Sequence, residues 1–171
     1  MRAHRRGGAL LVVPSGSDAW RASIVQPILY AIRPFFSELA ELMSHPSVDR
    51  RVWQEALSRV VDVIAGLTAV DGATIITDRY ELLAFGAKIA RRDGCPRVES
   101  VSVTEPIEGS VATTLNPTEF GGTRHLSAAQ FVHDQRDAVA LVASQDGHFT
   151  VFAWSPCESM VHAHRVETLL L

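Results

Sequence analysis

The segment Val70-Asp71-Gly72-Ala73 places a carboxylate between two strongly apolar stretches of the chain. An aspartate at the edge of a core can cap a backbone end or hold a divalent cation, and a following glycine lets a ligand approach the backbone closely. A purely structural turn is the alternative, because Asp-Gly is a common turn pair. Asp71 is therefore a candidate metal ligand, with Gly72 and Ala73 beside it.

A second segment, from Phe120 to Ala129, opens with two glycines and continues with a threonine, an arginine and a histidine. A helix that begins after the glycines leaves unpaired backbone N–H groups beside Thr123, Arg124 and His125. These N–H groups, the guanidinium and the hydroxyl are all donors that suit a phosphate group. In the alternative interpretation, Thr123 only caps the helix and Arg124 lies in solvent.

Together, the two segments predict a site for a metal–nucleotide complex, with one carboxylate for the cation and one helix end for the phosphates. Cys157, His162 and His164 offer three zinc ligands, but no fourth ligand follows at a common zinc spacing. The chain contains none of the GxSxG, GxxxxGK[ST] or HExxH motifs of serine hydrolases, P-loop NTPases and zinc proteases.

Apolar periodicity predicts the elements that must position these segments. Continuous or alternating apolar runs predict strands over 9–13, 73–77, 82–85, 98–103, 138–143 and 149–154. Spacings of three and four predict one or two helices over 24–43, broken at a proline, and a helix over 48–67 that is capped by Ser47. Residues 121–134 are also predicted to be helical, and 162–171 are predicted to form a short final helix. Residues 91–120 are predicted to be rich in loops. This mixture predicts an α/β domain with a mixed central β-sheet flanked by helices.

Length and composition limit the domain organisation, the partners and the location that the chain can have. The 171 residues, of which 47% are hydrophobic, predict one folded domain over residues 9–171 after a flexible basic segment at residues 1–8. A net charge of −3 argues against a nucleic-acid partner. The apolar run at 9–13 is too short to be a signal peptide core or a membrane span, and two cysteines favour a cytoplasmic location.

The motifs resemble the diadenylate cyclase domain family, the catalytic domain of the DNA-integrity scanning protein and its relatives. The resemblance covers residues 50–155 and rests on the DGA of 71–73, the FGA of 85–87, the GTRH of 122–125, Ala128-Ala129 and the last two strands before residue 155. The order of these motifs is more specific than any one of them.

The resemblance implies a diadenylate cyclase-like fold, in which helices surround a mixed sheet. Members of the family join two ATP molecules into cyclic di-AMP with Mn²⁺ or Mg²⁺ across a face-to-face homodimer. In this chain, Asp71 would hold the metal and activate the ribose hydroxyl, and Thr123, Arg124 and His125 would hold the phosphates. The remaining nucleotide-binding positions implied by the resemblance are Gly72, Ala73, Gly122 and Ser127.

Three positions depart from the family pattern. Leu126 stands where the cyclases carry a further basic residue, Arg136 replaces a serine, and Gln145 replaces an acid. Loss of a cation beside the phosphates weakens transition-state stabilisation more than ground-state binding. The sequence therefore favours a nucleotide-sensing domain that binds ATP or a cyclic dinucleotide. An active cyclase, in which Arg136 supplies the missing charge, and an interaction domain without a ligand are the two alternatives.

Overall fold

A computed structural model describes residues 7–47, 49–105, 109, 111–144 and 148–166. Its strands are β1 (Gly8–Val13), β2 (Tyr30–Phe36), β3 (Ala73–Thr77), β4 (Leu82–Ala87), β5 (Val101–Thr104), β6 (Thr113–Leu115), β7 (Val139–Ala143), β8 (Phe149–Ser155) and β9 (Met160–Arg165). Its α-helices are α1 (Glu38–Ser44), α2 (Arg50–Leu67), α3 (Pro117–Phe120) and α4 (Thr123–Asp134), and Ala19–Ser23 forms a 3-10 helix.

The nine strands form one sheet in the order β2-β4-β3-β1-β7-β8-β9-β5-β6. β1 pairs parallel with β3, and β5 pairs parallel with β9, while the other neighbours are antiparallel. The predicted α/β class with a mixed central sheet is thus confirmed. The parallel β1–β3 pair brings two strands that are about sixty residues apart in sequence into register.

The main core lies between the sheet and α4, which packs on β7, β8, β9 and β1. Phe131 of α4 and Phe152 of β8 are completely buried there. Burial of each such side chain contributes about 1.5–3 kcal/mol. Ala128 and Ala129 are also fully buried, and their small side chains let the helix lie close to the strands. The core therefore fixes the position of α4 on the sheet.

A smaller cluster joins α1 and α2 through Leu39, Val60 and Ile64. The predicted helix over 48–67 is present, but it begins at Arg50, and its cap is Asp49 instead of Ser47. The Asp49 carboxylate accepts from the backbone N–H groups of the first turn, whereas the Ser47 hydroxyl accepts from the N–H of Asp49 itself. The prediction of a Ser47 cap was two residues too early.

The helix predicted over 24–43 is wrong in its first part. Residues Tyr30–Phe36 form the edge strand β2, and a helix begins only at Glu38. Tyr30 stacks on Phe85 of β4 with ring centroids 4.9 Å apart, a cross-strand contact that a helix could not make. Pro34 lacks an N–H donor, which is tolerated on an edge strand and not inside a helix.

The short helix predicted over 162–171 is also wrong where the structure describes it. Residues Met160–Arg165 form β9, in which buried Val161 and Ala163 alternate with the less buried His162 and His164. A period of two is that of a strand. Residues 167–171 lie outside the described part.

The observed boundaries of the other elements differ from the predicted ones by a few residues. The strand predicted over 98–103 is β5 at Val101–Thr104, and the helix predicted over 121–134 begins at Thr123. The loop-rich stretch 91–120 also contains β6 and α3. Residues 1–6 of the predicted basic segment and Gln145 lie outside the description, whereas Gly8 already belongs to β1. Within the described ranges, no helix has the length and apolar character needed to cross a bilayer.

Candidate functional site

A cleft of about 540 Å³ opens at one end of the central strands. Its floor is a row of small, buried side chains that are direct neighbours across four strands. The row runs through Ala87, Ala73, Ala9 and Val142. Residues directly opposite in a sheet point to the same face, so three alanines in register leave room that larger side chains would fill.

All eight residues that the sequence analysis assigned to the metal–nucleotide site line this one cleft. They are Asp71, Gly72, Ala73, Gly122, Thr123, Arg124, His125 and Ser127. Asp71 and Gly72 lie in the loop before β3, Ala73 is the first residue of that strand, and the other five come from the start of α4. The structure thus brings together two segments that are about fifty residues apart in the sequence.

The N-terminus of α4 points donors toward the cleft. Gly122 is its N-cap, and the helix has no side-chain cap within the described chain, so Thr123 does not cap it. The carbonyl of Gly122 accepts from the N–H groups of His125 and Leu126. The N–H groups of Thr123 and Arg124 find no acceptor in the residues described, nor does the Arg124 guanidinium. These groups remain available to an anion, with the positive end of the helix dipole behind them.

Lys88 is a site residue that the sequence analysis did not identify. It follows β4, lines the cleft, and donates from Nζ to the Asp71 carboxylate. This hydrogen bond and the positive charge of Lys88 hold the pKa of Asp71 below its usual value, and the charge of Arg124 lowers it further. Asp71 is therefore a carboxylate at neutral pH. The available signal was that Lys88 is the only lysine of the chain.

The loop that carries Asp71 is held against the end of β4. Gly72 has a φ of +115°, and a Cβ placed on it would lie 2.5 Å from the carbonyl carbon of Gly86. Only glycine permits both this backbone conformation and this approach. The contact fixes Asp71 next to Lys88 at the rim of the cleft.

His125 lies deeper than its neighbours in the motif and is only 7% exposed. Its ring lies edge-on to Phe152, and its Nε2 is 3.4 Å from the Thr150 hydroxyl. Burial lowers the pKa of His125, and the charge of Arg165 and other nearby basic groups lowers it further. His125 is therefore a neutral imidazole at neutral pH, and the cations of this cleft are Arg124 and Lys88.

We expect stability to fall as the pH drops below about 6.5. The pKa of His125 is lower in the folded protein than its ordinary 6.5, so the unfolded chain takes up the proton first. The free energy of unfolding then decreases by at most about 1.4 kcal/mol per pH unit for this one group. Urea unfolding at about pH 7 and about pH 5.5 should show that the free energy of unfolding falls less between these pH values in His125→Gln than in the wild type.

The exposed His45 provides the control for this measurement. In His45→Gln, the free energy of unfolding should fall between the two pH values by as much as it does in the wild type. Some pH dependence should remain in His125→Gln, since burial also lowers the pKa of His164. Equal losses in His125→Gln and the wild type would contradict the assignment of a neutral, buried His125.

Two residues discussed as departures lie outside this cleft. Leu126 lines a neighbouring cavity instead. The guanidinium carbon of Arg136 lies 4.1 Å from the centroid of the Trp154 ring, beyond the opposite end of α4. At 1.5 Å per residue, α4 separates its two ends by about 18 Å. The idea that Arg136 supplies a missing charge to this cleft within the same chain is therefore wrong.

The cleft offers one carboxylate to a metal ion. Among the described residues, no three His, Cys, Asp or Glu side chains gather as a metal site, and this includes Cys157, His162 and His164. Mg²⁺ and Mn²⁺ commonly bind one or two protein carboxylates together with substrate phosphates and water. Asp71 fits a cation that arrives with a polyphosphate, provided that Lys88 releases it.

Comparison with protein-family models and with curated proteins gives no match for this chain. The cleft itself combines two cations, one carboxylate and a helix N-terminus without a side-chain cap among the described residues, all around an alanine floor.

Proposed function

We propose that the cleft binds an adenine nucleotide or a cyclic dinucleotide such as cyclic di-AMP, and that the domain is a nucleotide sensor with a diadenylate cyclase-like fold. The observation that supports this most strongly is that Asp71 and the donor-rich start of α4 line one cleft. Donors for a phosphate and a ligand for its accompanying Mg²⁺ or Mn²⁺ thus face the same space.

The size and chemistry of the cleft agree with this ligand class. A volume of about 540 Å³ falls within the usual range of small-molecule sites. The alanines of the floor and Ile89 provide apolar surface for a base or a ribose. Arg124, Lys88 and Asp71 together leave one net positive charge when His125 is neutral, so an anionic ligand is favoured.

An active cyclase is the second candidate, and Lys88 is the observation that favours it. Lys88 lies in the cleft beside Asp71, where a second cation beside the phosphates would stabilise charge in phosphoryl transfer. Such an enzyme would work as a homodimer that brings two ATP molecules face to face. Leu126 weighs against it, because the adjoining cavity lacks the basic side chain that the cyclases carry at this position, and turnover depends on such a cation more strongly than binding does.

A thermal-shift titration tests the sensor. We expect cyclic di-AMP or ATP with Mg²⁺ to raise the melting temperature in a saturable way, because a ligand that binds only the folded state stabilises it by mass action. Uridine monophosphate serves as the control for nonspecific phosphate binding. If none of the adenine ligands shifts the melting temperature at millimolar concentration, a ligand-free interaction domain becomes the better interpretation.

A product assay separates the two candidates. The protein is incubated at high concentration, where a dimer is favoured, with ATP and Mn²⁺, and cyclic di-AMP is sought by chromatography. Binding without product supports the sensor. Product that disappears in Asp71→Asn would establish the cyclase instead.

A further inference from the structure

A second cavity of about 260 Å³ adjoins the cleft along α4. Ile89 and Ser127 line both cavities, so the two spaces form one groove. Beyond these shared residues, the second chamber is lined by Ala90, Arg91, Arg97, Leu126 and Gln130. One wall of the groove is α4, and the other is the segment that follows β4.

The second chamber contains two cations. Neither Arg91 nor Arg97 has an ion pair or a side-chain hydrogen bond with the residues that the structure describes. Both are exposed, and both follow Ile89 within eight residues of chain. Two guanidiniums that line one small chamber and have no partner in the described part of the chain favour an anionic occupant.

The wall that carries Arg97 is held firmly against α4. Gln130 is buried, and its side-chain oxygen accepts from the N–H of Val98 at 2.9 Å. Its amide nitrogen donates to the carbonyl of Pro96 at 3.1 Å and to the Asp134 carboxylate at 2.8 Å. The backbone on both sides of Arg97 is therefore fixed, which lowers the entropic cost of presenting its guanidinium to a ligand.

The two cationic ends of the groove are separated along α4. From Arg124 to Gln130 the helix rises about 9 Å at 1.5 Å per residue. Between the ends lie the apolar Ile89 and Leu126 and the hydroxyl of Ser127. This order of cation, apolar surface and cation matches a ligand whose two anionic groups are separated by an organic part.

We propose that the Arg91–Arg97 chamber is a second anion subsite, and that the ligand of the whole groove is a dinucleotide. One phosphate lies at Arg124 and the start of α4, and the other lies between Arg91 and Arg97. This inference rests on the proposed nucleotide binding and narrows it, since a mononucleotide would use only the first cleft. Leu126 then contributes apolar surface in a chamber where Arg91 and Arg97 provide the positive charge.

Calorimetric titration with AMP, ATP and cyclic di-AMP tests the proposal on the intact chain. In the double variant Arg91→Gln/Arg97→Gln, the affinity for cyclic di-AMP should fall about tenfold or more, as expected for lost charge-assisted hydrogen bonds. The affinity for AMP should stay within about twofold of the wild type, because its single phosphate stays at Arg124. The matched control is Arg50→Gln/Arg59→Gln, which removes two exposed arginines of α2 and should leave all affinities unchanged.

Each outcome has a distinct meaning. Equal losses for AMP and cyclic di-AMP, or no loss beyond that of the control pair, would overturn the second subsite while nucleotide binding stands. A loss for ATP as large as that for cyclic di-AMP would assign the chamber to a polyphosphate chain and overturn the dinucleotide. If the wild type binds none of the three ligands, the proposed function fails and the subsite fails with it.

Discussion

Replacing Arg124 with alanine should remove most of the ligand-induced rise in melting temperature. Arg124 lines the cleft without a partner in the described chain, so its guanidinium is free to bind a phosphate in two-point contact. Loss of charged hydrogen bonds of about 1.5–3 kcal/mol weakens binding roughly 10- to 150-fold. The fold itself should change little, because the Arg124 guanidinium has no ion pair or hydrogen bond with the described residues and acts on the exposed Asp71 only through its charge.

The expected readout follows from mass action. A ligand at about 100 times its dissociation constant stabilises the wild type by about 2.7 kcal/mol, which is about 5–11 °C for a chain of this length. A hundredfold weaker complex retains about 0.4 kcal/mol, or about 1–2 °C. Thermal melts with and without cyclic di-AMP measure the difference directly.

Arg136→Ala is the matched control for Arg124→Ala. It also removes one arginine near α4, but Arg136 stacks on Trp154 and lines a different cavity. It should keep the full ligand-induced shift, although loss of the cation–π contact lowers the melting temperature of the free protein slightly. If Arg124→Ala keeps the shift as well, the start of α4 is not the phosphate site.

Local sequence patterns predicted the elements that depend on local interactions. The hairpin of β3 and β4 and the helix α2 follow from apolar periodicity and turn residues, and both are present. β2 was mistaken for a helix because its apolar residues recur at three and four, while its pairing partner β4 lies about fifty residues away. β9 was not predicted as a strand. Its buried Val161 and Ala163 alternate with His162 and His164, and a histidine gives no clear sign in the sequence of whether its side chain is buried or exposed.

In the cleft as well, local patterns predicted some residues, whereas others depend on the pairing of distant strands. Asp71 and the segment from Gly122 to Ser127 stand out because carboxylates, glycine pairs and guanidiniums are unusual beside apolar runs. The alanine floor carries no such signal, and the only signal of Lys88 is that it is the single lysine of the chain, because the role of both depends on strand register. Ala9, Ala73 and Ala87 become neighbours only when β3 lies between β4 and β1, and no local pattern specifies the pairing of β1 with β3.

Gly72→Ala should destabilise the protein more than any other single-methyl addition near the cleft. The φ of +115° at Gly72 is disfavoured for alanine, which costs about 1–3 kcal/mol. The added Cβ would also lie 2.5 Å from the carbonyl carbon of Gly86 and 2.9 Å from the nitrogen of Ala87. These are backbone atoms that no side-chain rotation can move, and such overpacking costs about 1–3 kcal/mol more. The free energy of unfolding should therefore fall by about 2–6 kcal/mol.

Gly66→Ala tests whether this loss of stability is specific to the backbone position of Gly72 or follows from adding a methyl group to any glycine. Gly66 lies in α2, and a Cβ there would meet nothing within 4 Å. Alanine is the better helix former, so this variant should gain about 0.5–1 kcal/mol. Urea unfolding of both variants should thus give opposite signs for the same chemical change. A Gly72→Ala protein as stable as the wild type would mean that the Asp71 loop can leave Gly86, and the positioning of Asp71 beside Lys88 would lose its structural basis.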